Sequence, residues 1–224
     1  LLGDGSSIVA RFVYGPVTGL TGVAELSAGS FHTCARMGDG TIRCWGDNRD
    51  GQCGDGTTTN RASPVSVSGL TGVLQVSSGQ VFSCALLPAG TVRCWGGNGG
   101  GTLGRGYTDL FSHPYPESPV IGLTGATQVV SALFHSCAVR GDRTVMCWGG
   151  NDRGQIGDGT TMNRYSATAV PGLTDVTRLA GGYQHTCALR GDGSVWCWGL
   201  NNSGQCGAPS ATASVLAPSR VPGI

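Results

Sequence analysis

The chain has 224 residues and a formal net charge of +1, with only 12% of its residues charged, 39% hydrophobic and 40 glycines. Near-neutrality excludes the basic field that would hold a nucleic-acid backbone, and no stretch reaches the ~20 consecutive apolar residues that a membrane-spanning helix requires. All 14 cationic side chains are Arg, which excludes lysine Schiff-base and lysine general-base chemistry. Sparse charge with abundant Gly can signal disorder, but here the glycines fall at fixed repeat positions and the apolar fraction is high, so turn-dense β structure is expected.

The chain opens at Leu1 rather than Met, so a processed or partial chain is expected, and the lack of a leader says little about export. Its first segment, Leu2-Gly-Asp-Gly-Ser-Ser, matches Cys53-Gly-Asp-Gly-Thr-Thr further on, so the sequence starts in the middle of a repeat. Four copies then align without gaps over their central part. The first is His32-Thr-Cys-Ala-Arg-Met-Gly-Asp-Gly-Thr-Ile-Arg-Cys-Trp-Gly46, and the others run over 82–96, 135–149 and 185–199. Their first cysteines are Cys34, Cys84, Cys137 and Cys187, giving periods of 50, 53 and 50. The repeats therefore span about 21–70, 71–123, 124–173 and 174–224, with 1–20 the remnant of a preceding one, all in a single domain or arc.

Within the first copy, alternating apolar residues between Gly, Asp and Asn turns predict strands over 23–27, 32–37, 41–45 and 64–67. Four short antiparallel strands per unit, at a period near 50, predict an all-β propeller of four-stranded blades. If Gly38-Asp39-Gly40 is the turn, residues whose numbers sum to 78 face each other, which sets Cys34 opposite Cys44. Facing residues in a non-hydrogen-bonded pair lie about 4.5 Å apart at Cα, within reach of a disulfide. The same construction pairs Cys84 with Cys94, Cys137 with Cys147, and Cys187 with Cys197. Eight reduced core cysteines are the alternative. Disulfides in this regular array predict a secreted, periplasmic or cell-surface protein. Cys53 and Cys206 occupy the slot filled elsewhere by Leu2, Leu103 and Ile156, where cysteine serves as a small buried hydrophobe.

These motifs, with Asn-x-x-Gly-Gln-x-Gly-Asp-Gly following Cys-Trp-Gly in the first and third copies and Ala208-Pro209 replacing its Asp-Gly in the last, resemble the regulator of chromosome condensation repeat over essentially the whole chain. The resemblance implies a propeller, seven-bladed in the family, whose members include a chromatin-bound exchange factor for a small GTPase and secreted bacterial binders. The cysteine pairs resemble an exported bacterial branch more than the nuclear one. Seven blades need ~350 residues at this period, so a piece of a longer chain, or an arc completed by further blades or a partner chain, is expected.

No catalytic set stands out. His32, His135 and His185 recur at one repeat position where the second copy has Phe82, which fits packed strand histidines rather than catalysis or metal binding. The tryptophans after each second cysteine, Trp45, Trp95, Trp148 and Trp198, read as core. The loop 47–51 fails the EF-hand template because Arg49 falls where an oxygen ligand is required. The glycine run 97–101 lacks the Lys-Ser/Thr of a phosphate loop. No metal and no cofactor are therefore expected. The one break in period is an insertion between Leu103 and Pro119 carrying Tyr107, Leu110, Phe111, His113 and Tyr115. Exposed aromatics on a loop suit a binding hot spot, cover of a blade edge being the competing reading. Arg61, Arg164 and Tyr165 sit in equivalent loops. The leading expectation is a non-enzymatic scaffold presenting one propeller face to a protein or glycan. A structural segment of a large surface or appendage protein, and a polysaccharide-acting propeller enzyme, are the alternatives.

Overall fold

The computed structural model describes residues 2–5, 15–209 and 212–223, so Ser6 and Ser7 of the opening remnant lie outside the described residues. Sixteen strands form four antiparallel sheets of four, each sheet one blade. The first blade holds β1 (Val23–Ala28), β2 (His32–Met37), β3 (Ile42–Gly46) and β4 (Arg61–Ser66). The second holds β5 (Gln75–Ser78), β6 (Phe82–Leu87), β7 (Thr91–Gly97) and β8 (Ser112–His113). The third holds β9 (Ala126–Ser131), β10 (His135–Arg140), β11 (Val145–Gly149) and β12 (Arg164–Ala169). The fourth holds β13 (Val176–Gly181), β14 (His185–Arg190), β15 (Val195–Leu200) and β16 (Ser214–Arg220). The first strands of successive blades contact one another, which puts them innermost.

The outer strand of the first blade begins at Arg61, three residues before the expected start, because a register shift after Cys44 brings Gly46 opposite Arg61. Pro64 fits there, since an outer strand has one free edge and needs no N–H on that side. In the second blade the outer strand shrinks to Ser112–His113 plus an isolated bridge from Arg93 to Pro119. Pro114, Pro116 and Pro119 remove the donors that a longer ladder would use.

The hairpin register pairs Cys34 with Cys44, Cys84 with Cys94, Cys137 with Cys147, and Cys187 with Cys197. Each pair is joined by a disulfide across Cα atoms 4.1 Å apart. Cys53 and Cys206 are free thiols, both buried.

A lone blade has two apolar faces and cannot bury either, so the core lies between blades. Three clusters fill the three seams. In the first, Cys34, Cys44 and Cys53 pack against Val73, Val76 and Trp95 of the next blade. In the second, Cys84, Cys94 and Leu103 meet Val129 and Trp148, and in the third Cys137, Cys147 and Ile156 meet Leu179 and Trp198. Each seam is also locked by polar groups. The indole Nε1 of Trp95 donates to the Gln52 carbonyl at 2.9 Å, Trp148 to Thr102 at 3.0 Å, and Trp198 to Gln155 at 2.8 Å. The ring can lie there because the preceding loop passes it with a glycine: a Cβ on Gly54 would sit 2.6 Å from Trp95 Nε1. Gly3 stands in the same relation to Trp45.

Histidine supplies a second lock. His32 Nε2 shares a 2.8 Å hydrogen bond with Ser83 of the next blade, whose hydroxyl donates to Gln52 O, and His135 does the same with Thr186 and Gln155 O. The inner strands present unpaired N–H groups towards the axis, and side chains of the preceding blade accept them. Glu25 Oε2 accepts from Val76 N, Gln75 Oε1 from Val129 N, and Gln128 Oε1 from Leu179 N. An open edge is thereby closed without a fifth strand.

Burial pushes the His32 imidazole down to about 4, against a smaller pull upward from Asp47, and pushes His135 down to about 3, with His185 adding to the effect. Both are neutral in the fold, whereas the unfolded chain takes up a proton below about pH 6.5. Stability is therefore full above that pH and falls as the pH drops from about 6.5 towards 4, by about 2–3 kcal/mol per histidine at pH 4.5. The variant His135→Phe, which copies Phe82, should flatten this slope by one histidine's share, read from denaturant midpoints at pH 7.0 and 4.5. Replacing Cys137 and Cys147 together by Ser should cost about 2–3 kcal/mol, read from the same midpoints.

Candidate functional site

The strand order within each sheet brings the turn between the first and second strands, and the loop between the third and fourth, to the same end of the blade. A cleft lined by both kinds of connection from the second and third blades, and another lined by the short turns of all four blades, show that these ends share one face of the arc. The long loops 47–60, 98–111 and 150–163, and the described part of the fourth, 201–209, thus stand beside the short turns 29–31, 79–81, 132–134 and 182–184.

The long loops are held by a buried asparagine. Asn48 Oδ1 accepts from Cys53 N at 2.8 Å, while its Nδ2 donates to the carbonyls of Thr57 and Thr59. Asn151 and Asn201 repeat this with Ile156 and Cys206. The Asn, Asp and Gly of these loops thus organise the backbone itself.

Arg61 lies inside its own loop, with Nε donating to Asp55 Oδ2 at 2.6 Å, and Arg164 does the same with Asp158 at 2.6 Å. Burial alone would raise these carboxyls, but hydrogen bonds from Thr57 and Arg61, and from Thr160 and Arg164, outweigh it and hold both below the ordinary carboxylate value. Tyr165 and Tyr115 belong to the seams. The carbonyl of Tyr165 accepts from Gly106 N at 2.7 Å, and its ring lies where a Cβ on Gly101 would be. The Tyr115 ring covers Gly56 of the first blade in the same manner.

The inserted loop of the second blade is organised around Arg105, which is buried. Its guanidinium donates to His113 Nδ1 at 2.8 Å, to Glu117 Oε2 at 3.0 Å and to the Tyr115 carbonyl. Because Nδ1 accepts, His113 carries its proton on Nε2 and donates it to Asp109 at 3.1 Å. His113 is thus an internal brace. Between Asp109 and His113, the Leu110 and Phe111 side chains project with 97% and 77% of their surface exposed, and Tyr107 is half-exposed. Of the eight loop residues singled out from the sequence, Leu110 and Phe111 point outward, Tyr107, Tyr115 and Tyr165 are part-exposed, and Arg61, Arg164 and His113 are braced within their own loops.

A second apolar feature escapes sequence reading. The short turns near the axis place Phe31 (58% exposed) and Tyr183 (62% exposed) on the same face, with Phe134 edge-on to Tyr183 at 6.4 Å. Between the second and third blades the face opens into a cleft of about 320 Å³ walled by Val81, Leu133 and Phe134. Its sequence signal is the variable pair between a small residue (Gly29, Gly79, Ala132, Gly182) and the His/Phe position: Ser30-Phe31, Gln80-Val81, Leu133-Phe134 and Tyr183-Gln184.

The chain matches the regulator of chromosome condensation (RCC1) repeat over residues 23–52, 73–102, 127–155 and 176–205, and a second description of that repeat over 39–86, 144–189 and 192–224. Yeast RCC1 (Prp20), in its crystal structure with Kap60 bound, superposes with a TM-score of 0.78 at 20% identity, covering 90% of this chain and 50% of that one. Human WBSCR16 superposes with a TM-score of 0.78 at 23% identity, covering 89% of this chain and 52% of that one. The ectodomain of the Physcomitrella patens receptor kinase CR4 gives a TM-score of 0.53 at 25% identity, covering 83% of this chain and 43% of that one. This chain spans about half the length of the structures it matches, and the likenesses confirm the propeller fold.

Exchanging Leu110 and Phe111 for Ala should leave the thermal midpoint within the ±0.5 kcal/mol typical of surface changes. Arg105→Met, by contrast, should strip His113, Glu117 and the Tyr115 carbonyl of a shared donor and expose 106–117 to protease, measured as the cleavage rate under native conditions.

Proposed function

The chain belongs to the regulator of chromosome condensation repeat family, and on that premise we propose that it is a non-enzymatic binding module of an exported bacterial type. It presents its loop face to a protein or glycan partner in the extracellular, periplasmic or cell-surface space. The observation that carries this reading is the Leu110–Phe111 tip, nearly fully exposed yet braced from beneath by buried Arg105. Large apolar side chains on a pre-ordered loop bind with little ordering cost, and so supply hot spots.

Three further observations support it. Four disulfides fit an oxidising compartment. His32 and His135 are buried and neutral, each donating its Nε2–H to a hydroxyl of the next blade. Among the relatives in fold, yeast RCC1 is seen bound to a protein, Kap60, and the CR4 propeller is part of a receptor ectodomain. Among the described residues, no helix is long and apolar enough to cross a membrane.

A second reading, completion by further blades or a partner chain, is favoured by the free face of the first blade. Leu26 is 65% exposed there, while its counterparts Val76, Val129 and Leu179 are buried in seams. Leu26→Asp should abolish association through this face, seen as loss of the larger species in sedimentation.

The main reading is tested by capturing partners from the secreted and surface fraction and measuring their affinity for the wild type and for the Leu110→Ala/Phe111→Ala variant. A loss of tenfold or more, with an unchanged thermal midpoint, is expected. Equal affinities would remove the loop tip from the interface.

A further inference from the structure

The cleft between the second and third blades exists because side chains present in the sister repeats are missing from it. After the loop asparagine the first blade has Arg49 and Asp50, the third has Asp152 and Arg153, and the fourth has Asn202 and Ser203, but the second has Gly99 and Gly100. The position before that asparagine is Asp47 in the first blade, Leu200 in the fourth, and Gly150 on the third-blade side of the cleft. Packing does not demand all of these glycines. A Cβ on Gly99 would meet nothing within 4 Å, so no backbone contact requires glycine there.

The loss at Gly150 has a chemical consequence. In the first blade, Gln52 Nε2 donates to Asp47 Oδ2 at 3.0 Å. In the third blade the equivalent amide, Gln155, is 1% exposed, and its Oε1 accepts from Arg153 N at 2.8 Å, which fixes the amide's orientation. With glycine in place of the aspartate, Gln155 Nε2 has no hydrogen-bond partner among the described residues, and Gln155 lines the cleft. The donor opens onto the cleft, so in the free protein it is left to water, and an incoming acceptor would exchange that water for a fixed partner.

We propose that this cleft is an anchor pocket for an extended segment of a protein partner, receiving one large apolar side chain against Val81, Leu133 and Phe134 and a main-chain carbonyl on Gln155 Nε2. The proposal deepens the binding-face reading and rests on it. A protein segment fits better than a sugar, because the side chains that wall the cleft are mainly apolar, Val81, Phe82, Leu133 and Phe134, with Gln155, Asn163 and Asp152 among the polar ones. The apolar surface also continues beyond the cleft to Tyr183, which stacks edge-on against Phe134.

The test needs no natural partner. N-acetyl-phenylalaninamide and N-acetyl-leucinamide are titrated into the full isotope-labelled chain, with N-acetyl-glycinamide and methyl glucoside as comparison probes. The expected result is a saturable shift of the Gln155 side-chain amide and of the Gly99, Gly100 and Gly150 backbone amides, for the two apolar probes only. Gly99→Arg, which copies Arg49, should weaken binding at least tenfold by filling the space while keeping the thermal midpoint. Gly150→Asp should do so by giving Gln155 back its acceptor, and if that variant fails to fold, Gly99→Arg alone decides. Absence of shifts up to the solubility limit, equal shifts in Gly99→Arg, or saturation by methyl glucoside instead would each overturn the pocket. None of these outcomes touches the Leu110–Phe111 assignment, which is read from partner affinity.

Discussion

The structure depends on one contact repeated three times: the indole of each blade lying over a glycine of the preceding loop and donating its N–H to a carbonyl of that loop. A four-stranded blade is too thin to bury its own side chains, so stability comes from stacking neighbours. The tryptophan does both parts of the work. Its ring supplies a large apolar area to the seam, and its N–H satisfies a carbonyl that would otherwise be stranded between blades. Everything on the loop face is positioned by this contact, since the carbonyl acceptors, Gln52, Thr102 and Gln155, belong to the long loops themselves.

The disulfides act at right angles to that contact. Each ties the second and third strands of one blade, and its sulfurs face the next blade's tryptophan as part of the seam's apolar filling. Their pairing was legible from the residues because a symmetric three-residue turn leaves one partner for each position. The start of the outer strand was not legible, because it follows from a register shift after the second cysteine that no composition signals. The repeat histidines could be read as packed residues from the Phe82 exchange, but their bonding partners could not. The Ser83 and Thr186 hydroxyls lie one blade away, a separation of 51 residues.

The candidate face divides along the same line. Outward aromatic residues were legible as a loop insertion, yet a side chain on a loop can turn either way, and only the contacts decide. Tyr115 and Tyr165 turn onto glycines of the preceding blade, as Arg61 and Arg164 turn onto their own aspartates, whereas Leu110 and Phe111 find nothing to cover. The inter-blade cleft was hidden for a different reason. Its signal is the absence of side chains at Gly99, Gly100 and Gly150, and a glycine run read alone suggests only flexibility or a failed phosphate motif. It gains meaning when each glycine is set beside the residue its sister blades carry.

That comparison exposes how a repeat protein can acquire a site. Seam positions are bound by the tryptophan, histidine and disulfide contacts, and change there is costly because two blades must change together. The side chains just after the buried asparagine bond only within their own loop, Arg49 to Asp47 and Asn202 to Gln205, so Arg49, Gly99, Asp152 and Asn202 occupy one structural place with four chemistries. The asparagine holds the backbone whatever follows it, so diversity there does not disturb the fold. A pocket made by the lack of side chains in two neighbouring copies, with a donor left without a protein partner on one side, is then a small step from a purely structural seam. The scaffold that makes the blades alike is what makes their differences informative.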